Sequence, residues 1–152
     1  MGPTSLSRFL RRHEIIGLDS SVFIFEVEEH PKYAQLVHPV FQWLEQPGSH
    51  AVTATVTMLE ILVHPYRMSD IDAVNRFYGL LSTYPGLQWA ELTLAIADLA
   101  ARLRAEHALK TPDAIQAASA MASQATGFIS NDPAFRRLED LEVLVLDDLA
   151  AG

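Results

Sequence analysis

The sequence predicts an α/β domain built on a central, mostly parallel sheet with helices on both faces. Three observations carry this. Short apolar runs of strand length occur at 15–18, 51–54, 87–89, 127–130 and 141–146. Between them lie stretches with the apolar spacing of helices, giving the order β-α-α-β-α-α-β-α-α-β-α-β; helix-length crossovers join parallel strands rather than hairpins. The 152 residues show no internal repeat and no interior linker, which suits one domain able to bury about two-thirds of its unfolded surface.

Residues 15–18 (IIGL) read as a buried strand. Ser20-Ser21 followed by Val22-Phe23-Ile24-Phe25 reads as a turn into a helix, which His30-Pro31 breaks. Pro31 opens a second helix, with Leu36, Val40, Phe41 and Leu44 at helical spacing. Gln46-Pro47-Gly48-Ser49 is a loop. After the strand at 51–54, Val56, Leu59, Ile61, Leu62 and Val63 continue as an apolar helix ending near His64-Pro65. Ser69 ahead of Asp70 and Asp72 reads as an N-cap with acids in the first turn, opening a helix that runs to about Leu81. Pro85-Gly86 turns the chain into the strand at 87–89, and 91–108 form a helix with Leu92, Ile96, Leu99 and Leu103 on one face. Thr111 as N-cap, Pro112 at N1 and Asp113 at N2 start an Ala-rich helix over 112–125. Residues 127–130 form a strand, Asn131-Asp132-Pro133 turn into a short helix, and 141–146 form the last strand. The expected organisation is a basic N-terminal arm over 1–14, one domain over 15–146 and a frayed tail over 147–152.

The formal net charge is −8, and it is unevenly spread. Residues 1–14 carry Arg8, Arg11 and Arg12 against Glu14, so the rest of the chain is strongly acidic. That balance excludes a broad basic face for gripping nucleic acid, and leaves open a local site that cuts it. The absence of cysteine removes disulfides, cysteine-ligated metal sites and thiol catalysis together. There is no Gly-rich phosphate loop, no Gly-x-Ser-x-Gly elbow, and no tight zinc spacing among the histidines. The apolar stretch behind the basic start is too short for a secretory signal core, and no run reaches the roughly 18 apolar residues of a membrane span. A soluble, cytoplasmic protein is expected.

Most of the acids sit on polar turns, as solvated acids do. Four are placed differently. Asp19 directly follows the first strand, where open parallel sheets bind ligands, although Asp is also a good helix N-cap. Glu60 interrupts the apolar segment Val56-Thr57-Met58-Leu59-Glu60-Ile61-Leu62-Val63, where it is either a costly buried charge with a partner or the polar stripe of that helix. Asp113 is a favourable first-turn acid and also the only formal charge in 111–131. Asp132 lies just past a strand, in a turn that Asn, Asp and Pro explain by themselves. In a parallel sheet all four can converge at the carboxyl edge, and converging carboxylates persist only when protons or a cation neutralise them. Oxygen donors without cysteine suit the hard cations Mg2+ or Mn2+, which activate water and stabilise phosphoryl transition states.

The segments around these acids resemble the motifs of PIN domains, in particular the VapC-type toxin ribonucleases. Ile16-Gly17-Leu18-Asp19-Ser20-Ser21-Val22-Phe23-Ile24 is similar to the family's strand-then-Asp opening, with Ser21 where Asn is frequent. The segment 52–62 resembles the second motif, with Glu60 as its acid; Thr111-Pro112-Asp113-Ala114-Ile115-Gln116-Ala117-Ala118-Ser119-Ala120 resembles the third. Phe128-Ile129-Ser130-Asn131-Asp132-Pro133-Ala134-Phe135 resembles the fourth, with Ser130 where Thr is commoner. The resemblance spans about 15–146 and implies a single PIN-like domain. It implies a metal-dependent endoribonuclease, the toxin of a type II toxin–antitoxin pair, with a cognate antitoxin, an RNA substrate and a homodimeric state. Carried over, Asp19, Glu60, Asp113 and Asp132 would form the acidic, metal-holding site for Mg2+ or Mn2+. Ser130 and Ser21 would orient a bound water or a phosphate oxygen. Lys110, Arg136 and Arg137, near the third and fourth motifs, are candidate contacts to substrate phosphates.

A phosphoaspartate hydrolase would want an Asp at Ser21, and a receiver domain a Lys after a late strand, whereas the only lysines are Lys32 and Lys110. A PIN-like protein-binding scaffold with little or no turnover is the second class that stays open, with Phe23, Phe25, Tyr33, Trp43 and Tyr66 as candidate groove residues.

Overall fold

The computed structural model describes residues 2–150. The chain runs through α1 (Gly2–Arg12), β1 (Ile15–Leu18), α2 (Ser20–Val27), α3 (Ala34–Leu44), β2 (His50–Ala54), α4 (Val56–Arg67) and α5 (Ile71–Ser82). It continues through β3 (Leu87–Ala90), α6 (Leu94–His107), α7 (Thr111–Ala122), β4 (Gly127–Ser130), a 3₁₀ turn (Pro133–Arg137), β5 (Glu142–Val145) and α8 (Leu146–Ala150). Among the described residues the strands form one sheet in the order β3-β2-β1-β4-β5, and every neighbouring pair is parallel. The α/β fold expected from the sequence is the fold observed, and the sheet is parallel throughout.

Strand order places the site. From β1 the chain steps outward to β2 and β3, then crosses back to β4 on the other side of β1. The crossovers therefore leave the carboxyl ends of β1 and β4 in opposite directions, opening a crevice there, the topological switch point of an open α/β sheet. Side chains alternate between two cores. Ile16, Leu18 and Ile129 face one, built with α1–α3 and α8. Val52 and Phe128 face the other, built with α6 and α7. Gly17 belongs on the second face, because a Cβ there would lie 2.6 Å from Phe128 Cδ1 and 2.7 Å from Ala120 Cβ.

The basic arm expected over 1–14 is instead a helix docked on the core, with Leu6, Phe9 and Leu10 buried beside Leu146 and Leu149. Their i, i+3, i+4 spacing makes one apolar stripe, which is the reason the segment folds. Arg8 and Arg11 are exposed, while Arg12 ties the helix end to Glu142 on β5 at 2.6 Å. The tail expected to fray over 147–152 is helical to Ala150, anchored by Leu149; Ala151 and Gly152 lie outside the described residues.

Smaller differences concern caps. α4 runs past Pro65 to Arg67, since a proline in the last turn forfeits only one backbone bond. Ser69 adopts φ 53°, so Asp70 is the N-cap of α5, accepting the Ala73 N–H at 3.0 Å. α6 begins at Leu94 behind a Thr93 cap rather than at 91, which leaves Leu92 outside the helix and half-exposed. Lys110 caps α7 by its backbone, so Asp113 stands at N3.

Candidate active site

Asp19 caps α2 at the carboxyl end of β1 and is 7% exposed. Burial there is tolerable because donors surround the carboxylate. The Ser20 backbone N–H donates to Oδ1 at 2.6 Å, and the Ser20 hydroxyl reaches the same oxygen at 3.3 Å. The Ser21 and Ser130 hydroxyls donate to Oδ2 at 3.3 and 2.5 Å. Ser130 closes β4, and its oxygen also accepts the Asp132 N–H at 2.9 Å. Its hydroxyl, expected to meet substrate or a water, is fully buried and bonded on both sides within the protein, to Asp19 and to the Asp132 turn. Ser21 is similarly engaged, accepting the Asn131 N–H at 3.4 Å.

The other three acids arrive on separate elements. Glu60 is on α4, Asp113 in the first turn of α7, and Asp132 caps the 3₁₀ turn by accepting the Ala134 N–H at 2.9 Å. The structure brings all four into one electrostatic neighbourhood. Burial pushes the Asp113 carboxyl up to about 6, with further upward pressure from Asp19, Asp132 and Glu60 that Lys110 partly offsets. Burial also raises Glu60, a rise the Ser20 hydroxyl bond opposes and the Asp19 charge reinforces. Burial raises Asp19, against the pull of its serine donors. Acids that repel one another while half out of water are poised to take up positive charge.

Among the described residues, no group of three acids or histidines stands in ready-made coordination of one ion. The donor set nevertheless fits a hard divalent cation. It is all oxygen, and Mg2+ characteristically takes one or two carboxylates and completes its shell with water and phosphate oxygens.

Of the cations expected at substrate phosphates, Lys110 is exposed and close enough to act on Asp113. Arg136 pairs with Asp148. Arg137 donates to the carbonyls of His107 and Ala108 at 3.2 and 3.3 Å, closing the end of α6. Both are therefore engaged at home. Ser20 went unremarked in the sequence because its position in the first turn of a helix already explains a serine.

Compared with protein families, residues 16–141 match the PIN domain. The chain belongs to the PIN domain family. All four acids lie inside the matched region, and α8 lies beyond it. This PIN domain is also similar to solved structures. A toxin–antitoxin complex from Klebsiella pneumoniae aligns with TM-score 0.66 at 20% identity, covering 87% of this chain and 97% of that one. VapC20 of Mycobacterium tuberculosis, described as a sarcin–ricin loop cleaving toxin, aligns with TM-score 0.65 at 16% identity over 85% and 98%. VapBC-1 from nontypeable Haemophilus influenzae aligns with TM-score 0.65 at 19% identity over 88% and 98%. These likenesses establish a shared fold. Among curated proteins, none matches this chain in sequence. Among the described residues, no helix is long and apolar enough to cross a membrane.

Proposed function

We propose that this PIN domain is a metal-dependent endoribonuclease of the cytoplasm, the toxin half of a two-component toxin–antitoxin pair, hydrolysing RNA phosphodiester bonds with Mg2+ or Mn2+. One observation carries the reading: at the switch point the charges of Asp19, Asp132 and Glu60 add to burial in raising the proton affinity of Asp113, and the charge of Asp19 adds to burial in raising that of Glu60. A site that disfavours its own charge this strongly is suited to a cation. Asp19, Asp113, Asp132 and Glu60 would hold it. A bound divalent ion would supply the charge that activates water and stabilises the developing negative charge on phosphate.

The protein's own groups prepare for that step. Ser20, Ser21 and Ser130 fix the Asp19 carboxylate in one orientation. The Asp132 side chain is fixed by its cap. Lys110, at the start of α7, offers a local positive charge to an incoming phosphate within an otherwise acidic surface. No side-chain nucleophile is required. Asp19→Asn and Asp113→Asn should each reduce Mg2+-dependent RNA cleavage by the purified protein about 100-fold or more, the scale on which preorganised charge stabilisation acts. Cleavage at the parental rate by either variant refutes the assignment.

The complexes in which similar folds occur support an antitoxin partner. A groove of about 640 Å³ between α2, α4 and α5, lined by apolar Ile24, Ile61 and Phe77 and by charged Glu28, Asp70 and Arg76, suits an amphipathic segment. Of the aromatic residues expected in such a groove, Phe23 is fully buried core, while Tyr66 is exposed on α4. Exposed Tyr66, Ile71 and Tyr78 support a homodimer across α4 and α5.

A further inference from the structure

The buried polar side chain that the acidic site does not use is Gln116, 2% exposed within the α7 core. It stands one turn after Asp113. Its amide nitrogen donates to Thr57 Oγ1 at 2.6 Å, and its amide oxygen accepts the Ala54 N–H at 3.1 Å. Thr57 Oγ1 lies 2.6 Å from Thr53 Oγ1, which donates to the Leu18 carbonyl at 2.8 Å. Thr53 and Thr57 are both buried. A carbonyl only accepts, so the Thr53 proton goes to the Leu18 carbonyl at 2.8 Å or to the Gln116 amide oxygen at 3.5 Å. Either way Thr57 donates to Thr53 and Gln116 to Thr57, and each bond strengthens the next.

Three members of this chain lie next to an acid. Leu18 precedes Asp19, Thr57 is one turn before Glu60, and Gln116 is one turn after Asp113. An apolar side chain of the same length here would leave the buried Ala54 N–H and Thr57 hydroxyl unpaired. The amide thereby ties α7 to the β2–α4 junction and, through the threonines, to the end of β1.

We propose that Gln116 is a positioning residue for the acidic site, setting through Thr57 and Thr53 the separation of the elements that bear Asp113, Glu60 and Asp19. The role rests on the metal-dependent reading above. Partners behind metal-holding groups tune metal affinity by about 10- to 100-fold. The Gln116→Met side chain keeps length and apolar volume but leaves the Ala54 N–H and the Thr57 hydroxyl without their partner. Thr57→Val removes the central hydroxyl, and Thr57→Ser restores it.

The test is calorimetric titration of Mn2+ into the full-length wild type, Gln116→Met, Thr57→Val and Thr57→Ser, each with a melting curve, alongside the Mg2+ dependence of RNA cleavage. Gln116→Met and Thr57→Val should melt cooperatively, bind Mn2+ about 10-fold or more weakly, and need correspondingly more Mg2+ for half-maximal cleavage, with Thr57→Ser within about twofold of wild type. A wild type that binds Mn2+ and cuts RNA, beside folded Gln116→Met and Thr57→Val of unchanged affinity, overturns the positioning role. A wild type that neither binds Mn2+ nor cuts overturns the metal-dependent reading, and the positioning role with it. If Gln116→Met does not fold, Thr57→Val against Thr57→Ser decides on the same readings.

Discussion

Replacing Asp113 by Asn should stabilise the metal-free protein at high pH and do nothing at low pH. The folded carboxyl is raised from 3.8 to about 6, so the native state binds this proton more readily than the unfolded chain does. Stability from this group therefore falls as pH rises from about 4 to about 6, and the full penalty stands above about pH 7. Two pKa units correspond to about 3 kcal/mol for a group removed from water. Asp113 is only half-buried, so solvent screening reduces this to about 1–1.5 kcal/mol. The attraction between an acid in the first turn and the helix N-terminus returns about 0.5 kcal/mol. The net gain for Asp113→Asn is then about 1 kcal/mol, or roughly 2–4 °C in melting temperature for a domain of this size. Denaturant unfolding of both proteins in EDTA at pH 8 and at pH 4 measures it. Added Mg2+ should stabilise the wild type and leave the variant behind, by mass action on the folded state. A variant less stable than wild type in EDTA at pH 8, or an equal difference at both pH values, would show that the acids do not strain one another as argued.

Three further outcomes follow from packing. Gly17→Ala should destabilise by about 2–3 kcal/mol in equilibrium unfolding, because the new methyl meets fully buried Phe128 and Ala120 rather than the end of a flexible chain. Ser119→Ala should stabilise by about 1 kcal/mol in the same assay, since the Ser119 hydroxyl is buried without a hydrogen-bond partner among the described residues. Phe9→Ala should cost about 3 kcal/mol or more, measured by the same unfolding curves, because α1 is seated in the core through this ring; an unchanged midpoint would return α1 to the role of a loose arm.

Much of this fold was legible in the sequence for a specific reason. Strands buried on both faces of a parallel sheet must be apolar runs, so IIGL and Gly127–Ser130 announced themselves, and the ends of the other strands differ from the expected ones by one residue at most. Asp19 was legible because a charge directly after such a run is unusual unless the chain leaves the sheet there, Glu60 because it interrupts an apolar helical segment, Asp113 as the one formal charge in 111–131, and Asp132 as an acid just past a strand. The α1 helix was legible in the spacing of Leu6, Phe9 and Leu10 and was overlooked because its arginines suggested a solvated arm. The caps at Ser69 and Thr111 were misplaced by one residue, since backbone geometry rather than residue type chose Asp70 and Lys110.

The sequence by itself determined the α/β class, the five strands and the helices between them, because burial on two faces and helical spacing are local patterns; the four acids it singles out stand as the proposed site. Only the tertiary structure decided which polar residues act together. Ser20, Gln116, Thr53 and Thr57 each read as unremarkable in a helix or strand, and Ser130 reads as a contact to water or phosphate rather than to Asp19. They became partners when β4 was laid beside β1 and α7 was packed against β2. The physical reason is that burial belongs to the assembled fold and not to the segment: a hydroxyl or amide acquires a required partner only once water has been removed from around it.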